Sequence, residues 1–206
     1  MVKVKICGIT NLKDAIAARK AGAHAVGFVF YKKSPRYITP EEASRISKSL
    51  PRRILKVGVF VNAREKSIKQ IAKFCNLDML QFHGDESSEF CRRFKGIKII
   101  KAFRIKNNFD LVRILKYETF ACLFDTFVKS SPGGTGKSFN WKILSRMRGI
   151  KQIIFLSGGL TAQNVGMAIE IVRPDWVDVS SSVEIKPGKK DKKKVIKFIQ
   201  KVEGLS

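Results

Sequence analysis

Cysteine is scarce and scattered in this chain. Its four cysteines, Cys7, Cys75, Cys91 and Cys122, lie far apart and form no C-x-x-C pair. The sequence therefore indicates neither a disulfide framework nor a zinc site, and we expect no metal. Three of the four lie within helical or strand patterns that are typical of core packing. Cys7 differs because it stands at the end of the first apolar run.

Long apolar runs are missing as well. The longest are strand-sized, well short of the roughly 18 to 20 residues that a membrane span requires. The N-terminus lacks the apolar region and the small-residue cleavage site of a signal peptide. No Ser-, Gly- or Pro-rich linker divides the 206 residues. We therefore expect a cytoplasmic protein with no membrane partner, folded as a single domain over residues 1–206.

Acidic side chains are few. The chain has 17 Asp and Glu against 41 Lys and Arg, and its formal net charge is +24. Such a charge attracts nucleic acid and other polyanions nonspecifically. The basic residues are nevertheless spread over most helical segments, and no zinc-finger spacing, RNP-type motif or homeodomain-like pattern accompanies them. We expect no specific nucleic-acid partner, and a basic nucleic-acid-binding protein is the less favoured alternative.

Short runs rich in Val, Ile and Phe alternate with amphipathic helical patterns along the chain. Near-continuous apolar runs such as 25–30 and 55–61 are typical of parallel strands that are covered on both faces. The last two helices are predicted over 162–172 and 192–202. The predicted strands are 2–7, 25–30, 55–61, 78–83, 98–104, 120–125, 152–157 and 176–181.

Eight β/α units in 206 residues match a compact (β/α)₈ TIM barrel of the α/β class. The active site of such a barrel gathers at the carboxyl ends of the strands. An open doubly wound sheet is the alternative fold. That fold normally has a Gly-rich fingerprint directly after its first strand, whereas residues 7–10 contain a single glycine.

Two apolar strands end on side chains that can transfer protons. Cys7 ends the first strand, and Asp125 follows the apolar run 120–124. A carboxyl group at such a place can act as an acid and a thiolate as a base, so we interpret the two as a catalytic pair facing one pocket. Core packing of Cys7 and loop capping by Asp125 are the alternatives.

The last two predicted strands end in small residues. Gly158 and Gly159 follow the seventh strand, and Ser180 and Ser181 end the eighth. Barrels often bind phosphate between these loops, because small residues let backbone N–H groups approach the anion. We predict a phosphate site here, with simple turn formation as the alternative for the glycines.

Two further side chains are candidates for binding the substrate. Arg36, in the loop after the second strand, could clamp a carboxylate with two hydrogen bonds. His83, at the end of the fourth strand, could shape the substrate pocket, and a hydrogen-bonded structural histidine is the alternative. The segment 133–138 ends like a P-loop, but Ser131 stands where the first glycine is required, so a nucleotide triphosphatase is not favoured.

Together these motifs resemble the phosphoribosylanthranilate isomerase family of tryptophan biosynthesis, whose members are (β/α)₈ barrels. The resemblance covers nearly the whole chain, in order. It is carried by residues 5–8, 27–30, 34–36, 57–60, 81–84, 133–136, 156–160, 178–181 and 187–191.

The resemblance implies an Amadori rearrangement of a small phosphorylated substrate, N-(5′-phosphoribosyl)anthranilate, without metal or cofactor. It implies that Asp125 is the general acid and Cys7 the general base, and that Arg36 holds the anthranilate carboxylate. The phosphate would lie on the backbone of residues 158–159 and 180–181. Related isomerases of histidine biosynthesis have an aspartate at the first strand end, so Cys7 favours the tryptophan-pathway reaction. A histidine-pathway type of barrel isomerase remains the alternative, and the oligomeric state is open between monomer and homodimer.

Three positions depart from the family pattern. Ser182 stands where the family usually has glycine, Asn140 replaces an aspartate, and Phe82 replaces a leucine. Ser182 matters most, because a side chain there could crowd the phosphate or require a backbone conformation that glycine adopts more easily.

Overall fold

The computed structural model describes residues 1–105, 112–125, 141, 144 and 150–205. Within them, eight parallel strands close into a barrel in chain order, which confirms the predicted fold class. The segment 133–138 and Asn140 lie outside the described residues. The barrel strands β1 to β8 are Lys3–Cys7, Ala25–Val29, Leu55–Phe60, Met79–Phe82, Lys98–Arg104, Ala121–Asp125, Ile153–Ser157 and Trp176–Val179.

Helices connect most of the strands and cover the outside of the barrel. A 3₁₀-helix, Ser181–Val183, and a hairpin of two short strands, β9 (Glu184–Lys186) and β10 (Lys189–Lys190), follow the last barrel strand. The α-helices of the described residues, α1 to α7, are Leu12–Lys20, Pro40–Ser49, Glu65–Phe74, Ser88–Arg92, Val112–Leu115, Val165–Val172 and Lys192–Glu203.

Two element boundaries differ from the sequence prediction by more than one residue, each for a local reason. The eighth strand ends at Val179 because Ser180 leaves the extended conformation, with φ −134° and ψ −79°, and starts the 3₁₀-helix. Helix α6 begins at Val165 because Thr161 and Asn164 form a capping turn. In this turn the Asn164 side chain accepts a hydrogen bond from the Thr161 N–H at 2.7 Å. The Thr161 hydroxyl in turn accepts a hydrogen bond from the Asn164 N–H at 3.2 Å.

The apolar core has two layers. One fills the space between the barrel and its helices and includes Ile6, Phe28 and Phe124. The other fills the barrel interior, where the ring of Phe155 stacks on Trp176 at 4.8 Å between centroids. Residues of the interior layer are Ala25, Val57, Met79, Ile100, Ala102, Ala121, Leu123, Phe155 and Trp176.

Side chains alternate between these two layers along each strand, as the two-residue period of a β-strand requires. On β1, Val4 and Ile6 pack towards the helices. Lys5 and Cys7 therefore face the barrel interior, Cys7 at the carboxyl end. None of the helices in the described ranges is long and apolar enough to cross a membrane.

Replacing Phe155 by alanine tests the interior layer. Phe155 is fully buried, so Phe155→Ala should lower the free energy of unfolding by about 3 to 5 kcal/mol through lost burial and a residual cavity. Phe74 is the control because it is 51% exposed at the end of α3, and Phe74→Ala should cost about 1 kcal/mol or less. Urea unfolding measures both, and equal losses would contradict the layer assignment.

Candidate active site

The end of β1 places Cys7 inside the barrel mouth. Gly8 follows with φ +76°, a left-handed conformation suited to glycine, and its N–H donates to the Gly27 carbonyl at 3.0 Å. Gly27, opposite Cys7 on β2, leaves the space that the thiol needs. A Cβ at that position would lie 2.8 Å from Cys7 Sγ and 3.2 Å from Lys5 Nζ. The missing side chain thus makes room for both groups.

A buried ion pair lies directly below Cys7. Lys5 Nζ is 2.9 Å from Asp178 Oδ1, and the two side chains are 0% and 5% exposed. Burial works to lower the pKa of Lys5, but the charges of Asp178 and Cys7 outweigh it, and this pKa lies above its usual value. Its neighbours thus favour the ammonium form of Lys5 inside the barrel.

The Cys7 thiol is buried close to both members of this pair. Burial is the main reason why the pKa of Cys7 lies above that of a free thiol, and the Asp178 carboxylate adds to the effect. The ammonium groups of Lys5 and Lys190 act in the opposite direction. The resting group is thus a thiol whose ionisation depends on two buried cations.

Asp125 lies at the end of β6, in contact with His83. His83 Nε2 is 3.2 Å from Asp125 Oδ2, and both side chains are 22% exposed. Gln81 Nε2 lies 2.9 Å from His83 Nδ1. If the Gln81 amide donates, the imidazole carries its proton on Nε2 and donates to Asp125. If the amide is turned over, Gln81 Oε1 accepts from Nδ1 and the imidazole can accept from a protonated Asp125.

Arg36 is held by a carboxylate from the C-terminal part of the chain. Its Nε and Nη2 atoms donate to the two carboxylate oxygens of Glu184 at 2.9 and 2.7 Å. Glu184 also accepts from Lys190 Nζ at 2.8 Å and from the Gly188 N–H at 3.2 Å. Nη1 of Arg36 has no hydrogen-bond partner among the described residues. This leaves a second face of the guanidinium for an incoming carboxylate.

The two loops of small residues meet at the same end of the barrel. Gly158 and Gly159 have φ +92° and +67°, which other residues rarely adopt. Ser180 donates its hydroxyl to the Cys7 carbonyl at 3.1 Å, so the eighth strand end is tied to the first. Ser182 donates to the Leu160 carbonyl at 2.5 Å and thereby joins the two loops.

Two of the three unusual residues have a clear place in the structure. Ser182 lies in the 3₁₀-helix and is absent from the residues with positive φ, so glycine is not required there. Phe82 packs its ring on Phe94 at 5.0 Å and on Phe90 at 5.6 Å between centroids. A leucine would lose these aromatic contacts.

One cavity of about 300 Å³ brings most of the sequence-predicted residues together. Cys7 and His83 do not line it directly, since Cys7 is 9% exposed and His83 stands behind Asp125. Within the described ranges, no group of three or more His, Cys, Asp and Glu side chains could hold a metal ion. The residues that line the cavity are Arg36, Asp125, Ser157, Gly158, Gly159, Leu160, Asp178, Val179, Ser180 and Ser181.

The sequence reasoning missed the buried polar groups that support the site. Lys5 and Asp178 are charges of opposite sign inside apolar strands, and they lie on the two strands that a barrel closure makes neighbours. That pattern could have revealed them. Glu184 and Lys190 carried no such signal, because they belong to a hairpin that was not predicted. Gln81 lies within an apolar strand and was read only as part of a motif.

An eight-stranded barrel with an acid, an arginine and two small-residue loops around one cavity at its carboxyl end has the architecture of a (β/α)₈-barrel enzyme. Comparison of the sequence with known protein families identifies one family of such enzymes. A family model described as N-(5′-phosphoribosyl)anthranilate (PRA) isomerase matches residues 4–201, and the chain belongs to that family.

Relatives and solved structures support this placement. The N-(5′-phosphoribosyl)anthranilate isomerase of Thermotoga neapolitana is 52% identical over 206 residues, which is 100% of both chains. A crystal structure of phosphoribosyl anthranilate isomerase in complex with reduced 1-(o-carboxyphenylamino)-1-deoxyribulose 5-phosphate is 46% identical, with a TM-score of 0.90 over 100% of both chains. Monomers generated from dimeric phosphoribosylanthranilate isomerase of Thermotoga maritima are 45% identical, with a TM-score of 0.89 over 100% of both chains.

The charge of Glu184 should contribute more to the free energy of unfolding at neutral pH than at acidic pH. Burial acts to raise the pKa of Glu184, but its bonds to Arg36 and Lys190 outweigh this, and the pKa lies below its usual value. Such a carboxylate contributes stability above its unfolded pKa and loses it as the pH falls through the folded pKa. We expect Glu184→Gln to lower the free energy of unfolding by about 3 to 5 kcal/mol at pH 7, and by less at an acidic pH low enough to protonate the carboxylate.

Urea unfolding at both pH values measures this difference. Glu41→Gln is the matched control, because Glu41 is an exposed carboxylate at the start of α2, and it should have little effect at either pH. A Glu184→Gln penalty that is equal at both pH values would contradict a role of its charge.

Proposed function

We propose that this chain converts N-(5′-phosphoribosyl)anthranilate into 1-(2-carboxyphenylamino)-1-deoxyribulose 5-phosphate, a step of tryptophan biosynthesis, with Asp125 as general acid and Cys7 as general base. The observation that carries the activity is the match to the isomerase family over residues 4–201. The assignment of the residues is supported by their positions at the carboxyl ends of β6 and β1, where barrel enzymes gather their catalytic groups.

The first step is opening of the sugar ring. Asp125 donates a proton to the furanose oxygen, the C1′–O bond breaks, and the lone pair of the anthranilate nitrogen forms a C1′=N iminium. Asp125 lines the cavity and is 22% exposed, so it can reach a substrate there. His83, at 3.2 Å from the carboxyl group, orients Asp125 without lining the cavity itself.

The second step is removal of the C2′ proton. The Cys7 thiolate takes this proton, and the electron pair of the C–H bond forms a C1′=C2′ double bond that neutralises the iminium. The resulting enolamine then moves the proton of its 2′-hydroxyl to C1′ and becomes the ketone. The sequence is an isomerisation made of proton transfers, so it requires no redox partner. In the bound substrate the C2′–H group would lie over Cys7. Cys7 is only 9% exposed, so water has little access to its thiolate.

Each of the two anionic groups of the substrate has its own candidate partner among the residues of the cavity. The free Nη1 edge of Arg36 can take the anthranilate carboxylate while Glu184 fixes the other edge. Residues 158–159 and 180–181 can surround the phosphate, because short side chains leave the backbone accessible. A carboxylate on Arg36 and a phosphate on the two loops would hold the sugar in the cavity that Asp125 also lines.

The same proposal includes the compartment, the binding partner and the oligomeric state of the protein. All four cysteines are unpaired, which agrees with the reducing cytoplasm. The partner is a small phosphorylated molecule rather than a nucleic acid or a membrane. We infer a monomer or a homodimer, since the Thermotoga maritima relative is described as dimeric and has also been obtained as monomers.

Removing either catalytic group tests the acid–base assignment. Cys7→Ala leaves no base for C2′, and Asp125→Asn leaves no proton for the ring oxygen. Each should lower kcat/KM by about 10²- to 10⁴-fold, measured by the decay of substrate fluorescence with freshly generated phosphoribosylanthranilate. Cys75→Ala is the control, because Cys75 lies at the end of α3, outside the barrel, and its kcat/KM should stay unchanged. Full turnover in either variant would contradict the catalytic role proposed for the replaced residue.

Ser182 provides a test of the phosphate loops. Its hydroxyl is bonded to the Leu160 carbonyl and its φ is not positive, so it neither crowds the loops nor strains the backbone. We expect Ser182→Gly to change kcat/KM by less than about tenfold, since a single neutral hydrogen bond contributes about 1 kcal/mol. An improvement of a hundredfold or more would show that the serine impairs phosphate binding.

A further inference from the structure

Lys5 is a fully buried cation for which the proposed mechanism has no use. We propose that Lys5 is a positioning residue of the reaction: its ammonium lies beside the Cys7 thiol and stabilises the negative charge that Cys7 must carry as a base. This inference deepens the proposed function and rests on its assignment of Cys7.

The backbone forces the two groups together. Lys5 and Cys7 are two residues apart on β1 and so face the same side of the strand. Both reach the space left by Gly27 on the neighbouring strand, where an added Cβ would touch Cys7 Sγ and Lys5 Nζ within 3.2 Å. The ammonium therefore has no route to solvent and remains beneath the thiol.

The charges around Cys7 come from three elements. Lys5 lies on β1 itself, Asp178 on β8 and Lys190 on β10, and all three are at most 5% exposed. Glu184 and Arg36 lie behind Lys190, and Asp125 faces the cavity from β6. Asp178 neutralises Lys5 while Cys7 is a thiol, and Glu184 does the same for Lys190. Cys7 thus sits between two ion pairs whose positive ends both act on it.

Cys122 shows what burial does to a thiol on which no cation of the described residues acts. Cys122 is completely buried on the outer face of β6, and burial raises the pKa of its thiol to about 12. A thiol with that pKa is almost never ionised at neutral pH. Burial raises the pKa of Cys7 as well, but the ammonium groups of Lys5 and Lys190 oppose this rise, whereas no cation in the described part of the chain acts on Cys122. The neighbouring cations therefore favour the ionised form of Cys7 relative to a thiol that is surrounded only by core residues.

A purely structural role for Lys5 is the competing explanation. The Lys5–Asp178 pair joins β1 to β8 and could serve only to close the barrel. In that case, replacing both charges by neutral groups would leave the ionisation of Cys7 where it is, and any loosening of the barrel would speed its alkylation at every pH. The electrostatic role predicts shifts along the pH axis, and their direction depends on which charge is removed.

The experiment compares the pH dependence of Cys7 alkylation by iodoacetamide, an uncharged reagent, in the wild type and two variants. In Lys5→Met/Asp178→Asn, which leaves no unpaired buried charge, the midpoint should rise by about one pH unit and the rate at pH 8 should fall about tenfold. In Asp178→Asn the ammonium remains without its counter-ion, so the midpoint should fall. An unchanged midpoint in the double variant, or a shift of both variants in the same direction, would overturn the proposal.

Two controls make the readout specific. Lys3→Met removes a lysine from the same face of β1, but Lys3 is exposed, so the midpoint should not move. Cys7→Ala in each background subtracts alkylation of the other three cysteines. Circular dichroism establishes that each variant is folded, and Asp178→Asn still decides the direction of the shift if the double variant does not fold.

The pH profile of kcat/KM separates this inference from the proposed function. If the alkylation midpoints shift as described, the inference about Lys5 stands. If the pH midpoint of kcat/KM shifts together with the alkylation midpoint, Cys7 is supported as the base. If it does not, the role of Cys7 as the base is overturned, while the effect of Lys5 on the Cys7 thiol still stands.

Discussion

The pairing of β1 with β8 is the constraint on which the rest of the molecule depends. It closes the barrel, and it does so with Lys5 opposite Asp178, a fully buried ion pair. Removing one member of such a pair is costly, because the other charge is left in an apolar interior. The same pairing brings Cys7 next to Ser180, so that the thiol proposed as the general base and one of the small-residue loops are set by a single register.

Two of the described polar side chains at the barrel mouth, Arg36 and His83, are held by buried neighbours, from a distant part of the chain and from the preceding strand respectively. Glu184 fixes Arg36, and Gln81 fixes His83, which in turn contacts Asp125. Below the loop that follows β4, Lys101 donates to the Gly84 carbonyl at 2.7 Å. Because Glu184, Gln81 and Lys101 are buried, the orientation of the groups that they hold is tied to the core.

The fold and the site were predictable from the sequence to different extents. The alternation of apolar runs and helical patterns was sufficient for the eight strands, and the residues at their ends gave Asp125, Arg36 and the two loops that line one cavity. The supporting charges were harder to find. Glu184 and Lys190 belong to β9 and β10, a hairpin turning at Gly188 with φ +79°, and its partners lie at the other end of the chain. Only tertiary contacts reveal such pairs, since no local period relates them.

The β9–β10 hairpin also determines when the site can exist. Thr10 donates to the Gly188 carbonyl, and Asp14 accepts from the Lys190 N–H, contacts that span 178 and 176 residues of sequence. The loop after β1 is thus completed by a segment that is synthesised long after it. A nascent chain that reaches only to the end of β8 has Cys7 and every strand of the barrel, but it lacks the carboxylate that holds Arg36. The site is therefore complete only once the hairpin has packed against that loop, and contacts so distant in sequence are slow to form.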